Sequence, residues 1–196
     1  GDLDAVCRAM TDHTCAVLVE PIQCEAGVLL PPEGFLRELS ALCRAQNVLL
    51  LADEIQTGLG RTGAWFACDH DGVKPDLYVL GKALSGGCYP VSAVVGRRDV
   101  LGLFEPGSHG STFGGNPLAC AVALEALAIL DDEQLIARAA ESGEWLGAQL
   151  AQLDHPAIVA VRGRGLIWAI ELREAARPWA EALQRRGVLC KETHGT

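Results

Sequence analysis

The stretch Val48-Leu49-Leu50-Leu51-Ala52-Asp53-Glu54-Ile55-Gln56-Thr57-Gly58 decides the fold. Five apolar residues in a row, closed by acids and then glycine, read as a strand buried on both faces, the pattern of a parallel strand in an α/β sheet. A second run, Leu77-Tyr78-Val79-Leu80, follows Pro75-Asp76 and closes on Gly81-Lys82-Ala83-Leu84-Ser85-Gly86-Gly87. A third, Cys15-Ala16-Val17-Leu18-Val19-Glu20, ends at Pro21. Between that run and the first, Pro31-Pro32 opens a helix over 33–46, with Phe35, Leu39, Leu42 and Cys43 at helical spacing. Strand, helix and strand in this order make a βαβ crossover, right-handed by rule. Val91-Ser92-Ala93-Val94-Val95 reads as a fourth strand. Its connection from Lys82 is too short for a helical crossover, which favours an antiparallel partner.

Further along, Gly58-Leu59-Gly60-Arg61-Thr62-Gly63 predicts an irregular loop, and Trp65 and Phe66 begin a short amphipathic segment. A second glycine-rich loop, Ser108-His109-Gly110-Ser111-Thr112-Phe113-Gly114-Gly115, is closed by Asn116-Pro117, an N-cap followed by proline at the first helical position. The alanine- and leucine-rich segment beyond it predicts a helix to about 130. Another helix carries Leu135, Ala139, Leu146, Leu150 and Leu153 on one face, interrupted by Gly143 and Gly147. From about 131 the character changes. Short strands at 159–161, 166–170 and 188–190 surround a helix over 178–186, the start of a smaller α+β unit. The expected division is therefore 1–130 and 131–196.

Composition sets bounds. The 196 residues are 49% hydrophobic and 21% charged, with a formal net charge of -9. A net negative chain with scattered lysines and arginines argues against nucleic acid and anionic membrane surfaces. No apolar stretch approaches the ~20 residues of a membrane span. The opening Gly1-Asp2-Leu3-Asp4 lacks the pattern of a signal peptide, and the eight cysteines contain no C-x-x-C spacing, so buried free thiols in a cytoplasmic protein are expected. The five histidines are dispersed, which leaves no zinc-ligand pattern.

Chemistry concentrates at the strand ends, where α/β sheets bind their ligands. A lysine there is ordinarily a solvated charge. Lys82 differs in its small neighbours, and an amine desolvated at that point has a lowered pKa and condenses with an aldehyde. Asp53 alone caps the next turn as readily as it binds anything. Beside such a lysine it gains a specific role, because a carboxylate against a pyridine nitrogen keeps the ring protonated and electron-withdrawing, as pyridoxal phosphate chemistry requires. Glu54 points to the other side and reads as structural, whereas Gln56 is placed to hydrogen-bond a ring hydroxyl. Ser111 and Thr112 offer donors suited to a phosphate, or simply lead into a helix. Glu25 is placed to meet a substrate amine or an arginine, and Glu20 to end its strand. A phosphoacceptor receiver domain is the rival reading. It would finish near 120 residues and leaves the glycine-rich sequence around Lys82 unexplained.

Five motifs in order resemble class III, fold-type I aminotransferases: Val19-Glu20-Pro21-Ile22-Gln23, Ala52-Asp53-Glu54-Ile55-Gln56-Thr57-Gly58, Arg61-Thr62-Gly63, Gly81-Lys82-Ala83-Leu84-Ser85-Gly86-Gly87, and Gly110-Ser111-Thr112-Phe113-Gly114-Gly115-Asn116-Pro117-Leu118. Tyr89-Pro90-Val91-Ser92-Ala93-Val94 and Lys191-Glu192-Thr193-His194-Gly195 look like the ornithine branch rather than the acetylornithine or 4-aminobutyrate branches. The resemblance implies an α/β fold: part of a pyridoxal phosphate (PLP)-binding large domain, with a mostly parallel sheet in a three-layer αβα arrangement, followed by part of an α+β small domain. It implies Lys82 as the lysine that bonds the PLP aldehyde and shuttles the proton, Asp53 on the pyridinium nitrogen and Gln56 on the ring oxygen. Thr112, with Ser111 beside it, would serve the cofactor phosphate of the other subunit of a dimer. Glu25 would be the substrate-side glutamate that pairs with an arginine, and Cys24 stands where the family usually has glycine.

Members of that family run to about twice this length, two to three domains by the usual ~150-residue prior. The resemblance therefore implies a C-terminal portion only, lacking most of the phosphate-binding elements and the substrate arginines. Alone it would leave a sheet edge and an apolar face exposed. Two expectations follow. Either a separately made N-terminal half completes an ornithine δ-aminotransferase that uses an amino acid and a 2-oxo acid, or the chain is a non-catalytic remnant of such an enzyme.

Overall fold

The computed structural model describes residues 1–193 and Gly195; His194 of the Lys191-to-Gly195 motif lies outside the described residues. Four strands form one sheet in the order β1-β2-β3-β4: β1 (Ala16–Val19), β2 (Leu49–Asp53), β3 (Leu77–Leu80) and β4 (Ala93–Gly96). The first three are parallel and β4 is antiparallel to β3, as the short connection after Lys82 predicts. Ahead of the sheet, α1 (Leu3–Ala9) was not foreseen. It is seven residues long and its signal is one capping bond, from the Ala5 amide to Asp2 Oδ1 at 2.9 Å.

Helix α2 (Phe35–Ala45) covers one face of the sheet. Its buried residues Phe35, Leu36, Leu39 and Cys43 pack with Leu50, Ala52, Val48, Cys68 and Val73, and Val17, Val19 and Tyr78 close the cluster from the strands. The register explains the pattern: Val17 lies beside Leu50, and Val19, Ala52 and Tyr78 lie in line across β1, β2 and β3. Each fully buried leucine of this face contributes about 1.5–3 kcal/mol of transfer free energy. The opposite row runs Leu18, Leu51, Leu77, with Asp53, Val79 and Val94 in the next line. That face stays open at both edges, Leu18 being 63% and Val94 50% exposed. The expected unfinished sheet is what these residues form.

A short helix α3 (Arg98–Leu101) follows β4, and then the loop bearing Ser111 and Thr112. Asn116 caps α4 (Pro117–Asp132), accepting from the Ala119 amide at 2.9 Å with Pro117 in the first turn. Helix α5 (Leu135–Leu150) packs on the hairpin of β5 (Ile158–Arg164) and β6 (Ile167–Leu172), and α6 (Arg177–Gln184) follows. The two glycines that interrupt the α5 pattern have a packing reason. A Cβ on Gly143 would stand 2.3 Å from the Gly165 carbonyl oxygen, and one on Gly147 would stand 2.4 Å from the Trp168 ring. Leu153 falls beyond the helix and is exposed.

Two expectations need correction. Residues 188–190 form no strand; among the described residues they find no partner strand, and Leu189 is exposed. The thiols are all free, but only Cys24, Cys43 and Cys68 are buried, while Cys7, Cys15, Cys88, Cys120 and Cys190 are exposed. Cys15 and Cys120 sit beside the edge strand β1 and on α4, elements that these residues do not cover. No helix of the structure is long and apolar enough to cross a membrane, among the described residues.

Candidate active site

Asp53 and Lys82 come from neighbouring parallel strands. Asp53 ends β2 and is in register with Val79 of β3, and the Glu54 amide donates to the Val79 carbonyl at 3.0 Å. Lys82 lies three residues past Val79, at the start of the 3-10 turn Lys82–Ser85. Neighbouring strands run about 4.8 Å apart, so both side chains leave the same rim. Lys82 adopts φ +40°, a region that costs a non-glycine residue about 1–3 kcal/mol and collects at functional positions.

Asp53 and Glu54 alternate in direction and divide the labour. Glu54 is 1% exposed and accepts from the Thr57 hydroxyl, the Ala67 amide at 3.0 Å and the Cys68 amide at 2.9 Å. It pins the 3-10 turn Ala67–Asp71 under the sheet, the structural role its position suggested. Burial, and then the neighbouring Glu54 charge, push the Cys68 thiol far up. Asp53 Oδ1 accepts from the Ile55 amide at 3.0 Å, and Oδ2 receives no hydrogen bond from the described residues. The Lys82 amine likewise makes no hydrogen bond or ion pair among them. It is exposed, so the desolvation expected from its small neighbours is not provided by this chain's own residues.

The loop after β1 closes a third side. The Cys24 amide donates to Glu20 Oε2 at 3.2 Å and its thiol to the Ile22 carbonyl at 3.4 Å. The Cys24 thiol is pushed up to about 11, first by burial, then by Glu20 and Glu25, with Lys82 acting in the opposite sense and Asp53 adding to the rise. One buried sulfur thus feels both members of the amine–acid pair. Glu25 at the loop tip accepts from Gln56 Nε2 at 3.3 Å and from Lys191 Nζ at 2.5 Å; the lysine first, and then the amide, lower its pKa. Where the resemblance implies an arginine, the described partner is a lysine. Nothing in the sequence marked that pair, because 166 residues separate its members.

Gln56 and Lys82 also line a cleft of about 1160 Å³ that runs past Gly86 and Gly87 to Val122, Glu125 and Ala126 of α4. Asp53 lies outside it. Ser111 and Thr112 are exposed on the loop ahead of α4 and do not line this cleft, with Ser111 Oγ accepting from the Gly114 amide at 3.0 Å. The chain therefore brings Asp53, Gln56, Lys82 and Glu25 to one rim, and no contact joins Ser111 or Thr112 to them among the described residues. The donor set fits PLP: an unpaired primary amine for the aldehyde and an open carboxylate oxygen for the ring nitrogen. Among the described residues no cluster of His, Cys, Asp and Glu is arranged to hold a metal ion.

Residues 2–196 match the aminotransferase class-III family, and the chain belongs to that family. It is 60% identical over 196 residues to the ornithine aminotransferase of Halalkalibacterium halodurans, covering all of this chain and 49% of the relative. The structure superposes with TM-score 0.96 and 49% identity on the ornithine aminotransferase of Toxoplasma gondii, a protein described with partial occupancy of PLP at its active site; the match covers 99% of this chain and 47% of that one. The acetylornithine aminotransferase of Elizabethkingia anophelis follows with TM-score 0.94 and 47% identity, covering all of this chain and 51% of that one. The chain thus spans about half the length of the relatives it matches.

Proposed function

We propose that the chain is the C-terminal portion of a PLP-dependent ornithine aminotransferase. That enzyme passes the δ-amino group of ornithine to a 2-oxo acid such as 2-oxoglutarate, yielding glutamate semialdehyde and an amino acid. The observation that supports this most is the pairing of an unpartnered amine, Lys82, with an open carboxylate oxygen, Asp53 Oδ2, at the ends of adjacent parallel strands. Bound PLP supplies an electron-accepting ring that stabilises negative charge on the substrate carbon. Lys82 holds the aldehyde end and carries the proton on Nζ. Asp53 keeps the ring nitrogen protonated through Oδ2. Gln56 steadies the ring oxygen, and Glu25 faces the substrate.

Ser111 and Thr112, exposed on the loop ahead of α4, serve the phosphate of a second subunit. An N-terminal half, encoded separately or as part of the same protein, covers the open sheet face and supplies the burial that Lys82 lacks. Residues 1–130 belong to the large domain and 131–196 to the small one, and the assembled dimer works in the cytoplasm. A second reading, with acetylornithine as donor, draws on the nearly equal likeness to the Elizabethkingia protein. The remnant reading, in which the chain does no catalysis, draws on the exposure of Lys82.

The test is borohydride reduction in the presence of PLP, followed by peptide mapping, on the protein with and without a relative's N-terminal half. Cofactor fixed on Lys82, and absent in Lys82→Ala, is the expected result. Label on any other lysine would overturn the assignment. Asp53→Ala keeps the label and loses most turnover.

A further inference from the structure

The loop that carries Glu25 is held from outside the large sheet. It is a strained segment: Gly27 has φ +105° and the β-branched Val28 has φ +54°, a conformation that a β-branched residue adopts only when its surroundings impose it. Within the loop, the Cys24 carbonyl accepts from both the Gly27 and Val28 amides at 3.1 and 3.2 Å, and Gln23 pairs with Leu29. Two contacts reach it from the β5–β6 hairpin. Ile22, Cys24 and Val28 pack on Ile167 and Ala169 of β6. Arg162 of β5, half-buried, donates to the Gly27 carbonyl through Nε at 3.3 Å and Nη2 at 3.2 Å, across 135 residues of sequence. Its remaining donor face is neutralised by Glu171 of β6 through Nη1. Both donors close on one carbonyl two residues from Glu25, whose carboxylate in turn engages Gln56. A guanidinium suits this position because its planar fork is pre-organised and always charged.

We infer that Arg162 is a positioning residue: anchored by Glu171, it holds the Gly27 carbonyl and so fixes where the loop presents Glu25, and the partner that Glu25 offers Gln56, at the Lys82 rim. The hairpin at the far end of the chain therefore sets the geometry of the substrate side of the site. This rests on the proposed aminotransferase reading only for what Glu25 does, not for how the loop is held.

The experiment reads the loop directly through Cys24, which lies buried in it, with Cys43 and Cys68 as buried controls in the α2 core. The protein as isolated, in complex with its completing half where one is present, is alkylated with iodoacetamide, and each cysteine is quantified by peptide mass spectrometry. Arg162→Ala is expected to speed alkylation of Cys24 at least about tenfold while leaving Cys43 and Cys68 unchanged, with Arg162→Lys and Glu171→Gln in between. In the PLP-loaded enzyme the same variant keeps borohydride labelling of Lys82 and raises KM for the amino donor more than it lowers kcat. Unchanged protection of Cys24 overturns the inference. So does a parallel rise at all three thiols, which would make Arg162 a support of the whole fold. Failure of Lys82 labelling with a selective rise at Cys24 would instead sink the PLP reading and leave the loop assignment standing.

Discussion

The β1–β3 sheet under α2 and the α4 segment are both apolar, yet only the first closes on itself. In the first, Leu39 and Ala52 are fully buried and the buried carboxylate is fully engaged, Glu54 satisfying three donors. In the second, α4 is apolar nearly all round, yet it buries only Ala119 and leaves Leu118 and Leu124 exposed, as are Phe104 and Phe113 in the loop before it. A helix apolar on every side belongs inside something larger. The difference teaches that local pattern forms a helix in either place, whereas only long-range partners give it an interior.

Mutations sharpen this contrast. The largest loss is expected from Glu54→Ala, which orphans two buried amides and a hydroxyl; urea unfolding should show about 4 kcal/mol lost. Leu39→Ala, from the centre of the closed core, should cost about 3 kcal/mol by the same measurement. Equal stability of either variant and the parent would deny that this region has a finished core. On the open side, Asn116→Ala removes the cap of α4 and should cost about 1 kcal/mol.

A pH effect comes next. His70 Nε2 lies 3.2 Å from the Thr62 carbonyl and 3.1 Å from its hydroxyl, and burial, then Arg164, hold its pKa below the ordinary 6.5 against the pull of Asp69 and Asp71. A lowered folded value means the unfolded chain binds the proton more readily. This contribution is thus complete above about 6.5 and is lost as pH falls through the folded value. The urea midpoint should drop on acidification, less so in His70→Gln. The smallest effect is expected from Leu124→Ser, under about 0.5 kcal/mol for the chain by itself. A loss of several kcal/mol there would mean that α4 is covered on its Leu124 side as well as on the Ala123, Leu127 and Leu130 side that packs against Leu59, Leu80 and Leu84.

Much of the fold was legible because its signals are local. The unbroken apolar runs located β1, β2 and β3, the short link after Lys82 foretold an antiparallel β4, and Asn116-Pro117 marked the start of α4. The 188–190 segment misled because an apolar triplet makes a strand only beside a partner, and none of the described residues offers one. In the site, Asp53, Gln56 and Lys82 stood out by their place at strand ends. Lys191 and Arg162 did not, since each meets its partner across more than a hundred residues.

The sequence by itself determined the parallel strands, the acid and amine at their ends and the resemblance to class III aminotransferases, because run length, periodicity and capping act over a few residues. Tertiary structure alone decided which amides Glu54 engages and that Asp53 keeps an oxygen open, that Arg162 grips the Glu25 loop, and that Lys82 stands exposed. Those outcomes depend on which groups are brought together and shielded from water, and no short-range pattern encodes them.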